Sequence, residues 1–252
     1  MTHLTLDAVT VRRGDCPVVD NASLTIAGGE LVGLIGPNGA GKTTLMRGAL
    51  GLLPHSGRSS LTDMAPQTRA RHAAWLPQSR EIAWPVSVET LVTLGRTPHL
   101  AAGQRPGEQD RQTIAQAIAT MGLTGFENRP ATKLSGGEQA RVLIARALAQ
   151  DTPLILADEP IAGLDPGHQI ATMTAFASLA RQGKALIVSL HDLGLAARHC
   201  TRLVLMHKGR IHADGPPEEV LTEANLRDVF GITAHLTHTP DGVIFQPLEV
   251  LP

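Results

Sequence analysis

Aromatic side chains are nearly missing from this 252-residue chain, which has four Phe, two Trp and no Tyr. The interior must therefore be filled by Leu, Val, Ile and Ala, and a hydrophobic content of 42% supplies enough of them. Cysteine is scarce too. Cys16 and Cys200 are too few and too far apart for a disulfide framework, which fits a reducing compartment. No stretch approaches the ~18 consecutive apolar residues that a membrane-spanning helix needs. The opening MTHLTLDAVTVRR alternates like a strand instead of offering the apolar run of a signal peptide. The expectation is a soluble chain whose dealings with a membrane go through a partner. Excess charge of either sign is also lacking: 22 Lys and Arg against 23 Asp and Glu argue against a broad nucleic-acid-binding face, though not against a local patch. Neither an internal repeat nor a low-complexity tract is present.

What is there reads as one large α/β domain with a small inserted lobe. LTLDAVTV and VVDNASLTI are antiparallel strand candidates joined by a turn at residues 12–17. ELVGLI (residues 30–35) is a short apolar strand that ends in a glycine-rich loop, and a helix is expected over residues 42–50. AAWL, PLILA, ALIVSL and RLVLM add further short apolar runs. Apolar strands alternating with helices predict a mostly parallel sheet covered on both faces. Between residues 87 and 129 no strand pattern occurs. Ser87 can cap a helix that Gly95 stops, TPHLAAGQRPGEQD reads as loop, and Ile114, Ile118 and Met121 mark a second amphipathic helix. After about residue 209 short strands and helices return, with EEVLTEANLRDVFG as a helical pair.

Several stretches carry chemistry. GPNGAGKTT (residues 36–44) has the spacing G-x-x-x-x-G-K-[ST] between an expected strand and an expected helix. Gly36, Gly39 and Gly41 let backbone N–H groups curl round a triphosphate, Lys42 sets a charge at the β- and γ-oxygens, and Thr43 offers a hydroxyl to Mg²⁺. Pro37, Asn38, Ala40 and Thr44 complete the loop. In PLILADEP an apolar strand ends in two acids, which points to a cation. Asp158 is placed to hold Mg²⁺ through water, and Glu159 to accept a proton from an attacking water. VSLHD sets His191 just past the next strand, at the edge where open parallel sheets bind ligands, within reach of a γ-phosphate. Gln78, in WLPQS, stands where a short strand leads into the helical lobe and can touch the metal or the water. In LSGGEQARVLIARALAQ (residues 134–150) a small-residue turn opens a helix, a second anion site without a lysine or metal-ligand pattern of its own. His235 and His238 lack a third ligand partner and read as solvated rather than metal-binding.

In this order the motifs resemble those of the nucleotide-binding subunit of ABC transporters, over essentially the whole chain. GPNGAGKTT resembles the Walker A loop, Gln78 the Q-loop glutamine and LSGGE the signature. LILADE resembles Walker B with its catalytic glutamate, GLDP the D-loop, and His191 the switch histidine. The resemblance implies a P-loop NTPase fold of the α/β class. It has a RecA-like parallel core with an antiparallel β lobe (residues 1–86 and 130–252) and an inserted α-helical lobe (residues 87–129), to which the signature helix 134–150 is attached. It also implies ATP and Mg²⁺ as cofactors, with Glu159, His191, Gln78 and Lys42 catalytic and Thr43, Gln78 and Asp158 around the metal. Ser135, Gly136, Gly137 and Glu138 would close over the γ-phosphate of a second copy, and Asp165 would couple the two sites. One position departs from the family: where an aromatic stacks on adenine, this chain aligns Arg13, or Arg12 if a bulge intervenes, and a guanidinium can stack as well.

LPQSREIAWPVSVETLVTLGRTPH, LDPGHQ and GPPEEVLTEANLRDVFGI are similar to ATPases that import iron–siderophore complexes, haem or cobalamin. That group implies a homodimer beneath an integral-membrane permease, fed by an extracytoplasmic binding protein. No nucleic acid is implied, and the location would be cytoplasmic, on the inner face of the cell membrane. The alternative is a soluble ABC-type ATPase serving a cytoplasmic assembly such as an iron–sulfur scaffold.

Overall fold

The computed structural model of the chain describes residues 1–79, 81–239 and 242–251, with the side chain of His238 outside that description. The first two strands, β1 (Thr2–Arg13) and β2 (Cys16–Ala27), pair antiparallel through the turn between them, and β4 (Ser56–Ser59) joins the other edge of β1. Between them in sequence come β3 (Leu31–Ile35) and helix α1 (Lys42–Ala49). Helix α2 (Pro66–His72) leads into β5 (Ala73–Leu76). The helical segment follows, with α3 (Val88–Thr93), a 3-10 helix (Leu94–His99), α4 (Glu108–Thr120) and α5 (Gly136–Ala149). The chain then returns through β6 (Leu154–Ala157), α6 (Pro166–Arg181), β7 (Ala185–Ser189), α7 (Leu193–His199), β8 (Arg202–His207) and β9 (Arg210–Gly215). Two short helical turns, α8 (Pro217–Val220) and α9 (Glu223–Asn225), precede a closing hairpin of β10 (Ile232–Thr239) and β11 (Gly242–Val250).

The central sheet has the order β5-β6-β7-β3-β8-β9, parallel except for β9 at its edge. Every residue of β3, β6 and β7 is buried, as expected of strands covered on both faces. Period-two alternation splits the strand residues between two cores. Leu31, Ile35, Ile155, Leu186 and Val188 face a core shared with α3, α4, α5 and α6. Val32, Leu34, Leu154, Leu156 and Ile187 face a second one closed by α1 and the β1–β2–β4 sheet. The fold is thus the expected P-loop α/β architecture with an antiparallel β lobe and a helical lobe. At the neck of the helical segment, Val88 N–H donates to Arg129 and Ala131 N–H to Val86, a bridge that pairs Ser87 with Pro130. Among the described residues no helix is long and apolar enough to cross a membrane.

Two expectations fail, the first being that TPHLAAGQRPGEQD is loop throughout: its first three residues end the 3-10 helix and its last three open α4. Gly95 does not end the chain's helical course, which tightens at Leu94 and continues as a 3-10 helix to His99. Its lack of a side chain serves another purpose: a Cβ there would lie 2.2 Å from the carbonyl oxygen of Arg146 in α5. The glycine permits a close approach of two helices, not a left-handed stop. The C-terminal helical pair is present but broken into shorter turns, with the Thr222 hydroxyl capping the second.

Candidate functional site

Strand β3 ends at Ile35, and the chain must then turn over the C-terminal edge of the sheet before α1 begins. Gly36 makes that turn at φ 142°, where an added Cβ would sit 2.3 Å from the Met206 carbonyl, and Gly41 enters α1 at φ 101° against the Val18 carbonyl. No side chain caps α1, so its first N–H groups stay directed at the loop. Asn38, Gly39, Ala40, Gly41, Lys42, Thr43 and Thr44 line a cavity of about 160 Å³, together with Val18 and Glu159. The Lys42 ammonium is buried and donates to the carbonyls of Gly36 at 2.7 Å and Pro37 at 3.2 Å. Burial pushes its pKa down, and the nearby charges of Glu159 and Asp158 act in the opposite direction.

The acids arrive at the end of β6. Asp158 is 1% exposed; its Oδ1 accepts a hydrogen bond from the Ser189 hydroxyl at 2.7 Å, whereas its buried Oδ2 has no partner. An orphaned carboxylate oxygen inside a protein is costly unless a cation completes it. Together with the Thr43 side chain on the adjacent cavity wall, this donor set fits a hard divalent ion such as Mg²⁺. Glu159 follows at φ 48°, a left-handed conformation that costs a non-glycine residue about 1–3 kcal/mol and clusters at functional sites. Its backbone N–H is tied to the same Ser189 hydroxyl oxygen at 2.8 Å. Its carboxylate is held from two sides, by Gln78 Nε2 at 3.0 Å and His191 Nε2 at 2.8 Å. Gln78, Asp158, Glu159, His191 and Lys42, from four separate stretches of chain, thus converge on one edge of the sheet. Ser189 was not singled out in the sequence. The available signal was a hydroxyl closing an otherwise apolar buried strand.

The signature turn lies elsewhere. Ser135 caps α5 in a reciprocal pair: its N–H donates to Glu138 Oε2 at 2.8 Å, and the Glu138 N–H to its Oγ at 3.3 Å. These bonds hold the Glu138 carboxyl below its usual range. Gly136 faces open space, and Gly137 lies against Leu164. That contact brings the turn beside Asp165, which caps α6 and is paired with His168. Neither Ser135 nor Asp165 lines the cavity over Lys42. Arg12 and Arg13 are exposed at the β1–β2 hairpin; the Arg12 guanidinium donates to the Asp15 carbonyl at 2.7 Å, and neither arginine lines the cavity. The His235 ring is bonded to the Thr237 hydroxyl at 2.9 Å, and the side chain of His238 lies outside the described residues.

The profile of the ABC transporter family matches residues 19–162, more than half of the chain. A hemin import ATP-binding protein of Streptomyces coelicolor is 41% identical over 96% of this chain and 83% of its own length. Its counterpart in Pseudomonas aeruginosa is 40% identical over 94% and 96%. A cobalamin import ATP-binding protein of Halobacterium salinarum is 38% identical over 90% of this chain and 59% of its own length. Among solved structures, an inward-facing ABC transporter of metal-chelate type superposes with a TM-score of 0.85 at 25% identity, covering 99% of this chain and 98% of that one. A dimeric bacterial ABC transporter cassette, 27% identical, gives 0.75 over 85% and 98%.

Proposed function

The chain belongs to the ABC transporter family as one of its ATP-hydrolysing subunits, and from that premise we propose that two copies drive uptake of a metal chelate, of the hemin or cobalamin class, through a separate membrane permease. The observation that carries the chemistry is the Glu159 carboxylate, fixed between Gln78 and His191 on the wall of the cavity over Lys42. A carboxylate so held accepts the proton of the attacking water while Lys42 and the α1 N–H groups hold the phosphates. To reach them, the Lys42 ammonium exchanges its bonds to the Gly36 and Pro37 carbonyls for phosphate oxygens. His191 then steadies the charge that develops on the γ-phosphate. Asp158, Thr43 and Gln78 would hold Mg²⁺, which supplies Lewis-acid neutralisation of the phosphate oxygens. Arg13 at the hairpin, or Arg12 beside it, would stack on the base.

Ser135, Gly136, Gly137 and Glu138 close over the nucleotide of a second copy, and Asp165, beside them, couples the two sites. Exposure of the signature turn and the dimeric cassette neighbour support that reading. A permease surface is supported by the exposed side chains of Leu52, Trp84 and Leu94 and by a cleft between α2 and residues 97–104. Such coupling places the chain at the inner face of the membrane, with an extracytoplasmic binding protein delivering cargo. The names of the relatives favour this importer over a cytoplasmic assembly ATPase. The test is Glu159→Gln. ATP binding should persist and ATP-bound dimers accumulate, while hydrolysis falls by roughly 10²–10⁴-fold. Hydrolysis at the parental rate would remove Glu159 from the role of base.

A further inference from the structure

The C-terminal end of α5 is held by residues that the catalytic chemistry does not use. A helix leaves its last carbonyls without partners, and here a different element supplies them. Arg96, 7% exposed on the 3-10 helix, donates from Nη1 to the Ala149 carbonyl at 3.0 Å and from Nε to Asp110 Oδ1 at 2.8 Å. Asp110 Oδ2 in turn accepts the Gly107 N–H at 2.9 Å at the start of α4. The positive group thus lies at the negative end of α5 and the negative group at the positive end of α4, each where the helix dipole favours it. His99 Nε2 donates to the Gln150 carbonyl at 2.8 Å, and the Gln150 amide reaches back to the carbonyls of Ala70 at 2.6 Å and Ala73 at 3.2 Å, between α2 and β5. Gly95 completes the joint, with its missing Cβ allowing direct contact with the last turn of α5.

We infer that Arg96, with Gly95 and His99, is the positioning device that sets the direction of α5 and thereby where Ser135 meets the nucleotide of a second copy. The inference rests on the two-copy reading proposed above. Its leverage is geometric. Fourteen residues make α5 a rod of about 21 Å, so a tilt of ~5° at the Arg96 end displaces Ser135 by about 2 Å. A misplacement of about 1 Å can cost ~10²-fold where groups must meet in a defined geometry. The same 3-10 helix also walls the cleft opposite α2, where Arg71 Nε donates to the Pro98 carbonyl at 2.8 Å. A partner that spreads this cleft therefore acts on α5 through Arg96 and His99, a route separate from Gln78.

The test uses the full chain carrying Glu159→Gln, with and without Arg96→Gln, Arg96→Lys or His99→Phe. ATP affinity of the lone copy is read with Ser135→Arg also present, ATP-driven pairing by sedimentation, and folding by urea unfolding. Lone-copy affinity should stay within about twofold, whereas the concentration for half-pairing rises about tenfold for Arg96→Gln, less for Arg96→Lys and about threefold for His99→Phe. Unchanged pairing in the folded Arg96→Gln and His99→Phe chains overturns the inference, as does an equal loss of lone-copy affinity. Should Arg96→Gln not fold, His99→Phe decides alone, since it removes one strap without burying an unpaired charge. If Ser135→Arg pairs as well as the parent, the two-copy reading falls and takes this inference with it; pairing blocked by Ser135→Arg yet indifferent to Arg96 and His99 overturns the inference alone.

Discussion

The molecule has two small-residue turns that open helices, at α1 and α5, and they differ in burial, charge and capping. At α1 the loop is anchored by buried Gly36, Ala40 and Gly41, its lysine is desolvated, and Asp158 and the Glu159 N–H are both tied to Ser189. At α5 the turn is exposed, capped only by its own residues, and open above Gly136. The first is preorganised to act on charge, which is where electrostatic catalysis gains most. The second has donors and space, and its own charge is only the Glu138 carboxylate that caps the turn. A site that is complete in charge and one that is complete only in geometry make chemical sense as halves of a shared centre. The same contrast predicts where substitutions damage the fold and where they damage assembly.

The largest contrast lies between two glycines. Gly36→Ala puts a Cβ 2.3 Å from the Met206 carbonyl at a φ that L residues rarely adopt, so the loop or β8 must move. A loss of more than about 4 kcal/mol, read as a drop in thermal midpoint with ATP binding abolished, is expected. Gly136→Ala meets nothing within 4 Å and lies in the first turn of α5, where alanine favours the helix. Its stability should hold or rise by up to about 1 kcal/mol, with single-copy ATP affinity intact and ATP-driven pairing weakened. Equal thermal losses in the two variants would erase the distinction between the sites.

Ser189→Ala is next in size. Its hydroxyl serves both Asp158 Oδ1 and the Glu159 N–H in a fully buried position, and removal leaves both groups unsatisfied. Stability should fall by about 1–3 kcal/mol. Hydrolysis should fall by roughly 10–10²-fold through kcat, because Glu159 loses its anchor while Lys42 and the loop still hold nucleotide. A change confined to KM would mean that Ser189 supports binding rather than the carboxylates.

How much of this was legible follows the same physics. The buried strands β3, β6, β7 and β8 announce themselves as apolar runs because both faces are covered. The motif residues were legible because phosphate and metal chemistry restricts residue type and spacing. β4 was not, since SGRS is polar, short and three-quarters exposed, and becomes a strand only because β1 offers an edge. Helix α2, PQTRARH, buries none of its residues and has no apolar period to read. Gly95 misled because a glycine signals a turn and a close approach with the same letter. Arg96 belongs to no motif, and only the fold sets the carbonyls of α5 opposite it.

The smallest effect sharpens the comparison at the exposed turn. Hydrogen bonds from Ser135 hold the Glu138 carboxyl below its usual pKa range, so the folded state binds its proton more weakly than the unfolded chain does. A depressed carboxyl contributes stability that is full above the unfolded value near ~4.3 and is lost as pH falls through the folded value. Glu138→Gln should therefore flatten the acid limb of a urea-midpoint profile below about pH 4.3 and leave the neutral plateau nearly level, because an amide oxygen still accepts the Ser135 N–H. Only Glu138 differs between the two chains, so the difference profile isolates the cap. Added salt should shrink the difference only modestly, since the Ser135 bonds rather than distant charges are its first cause. Superimposable acid limbs for parent and Glu138→Gln would mean that the cap is not formed in solution, and that Ser135 is already free to be redirected at a phosphate.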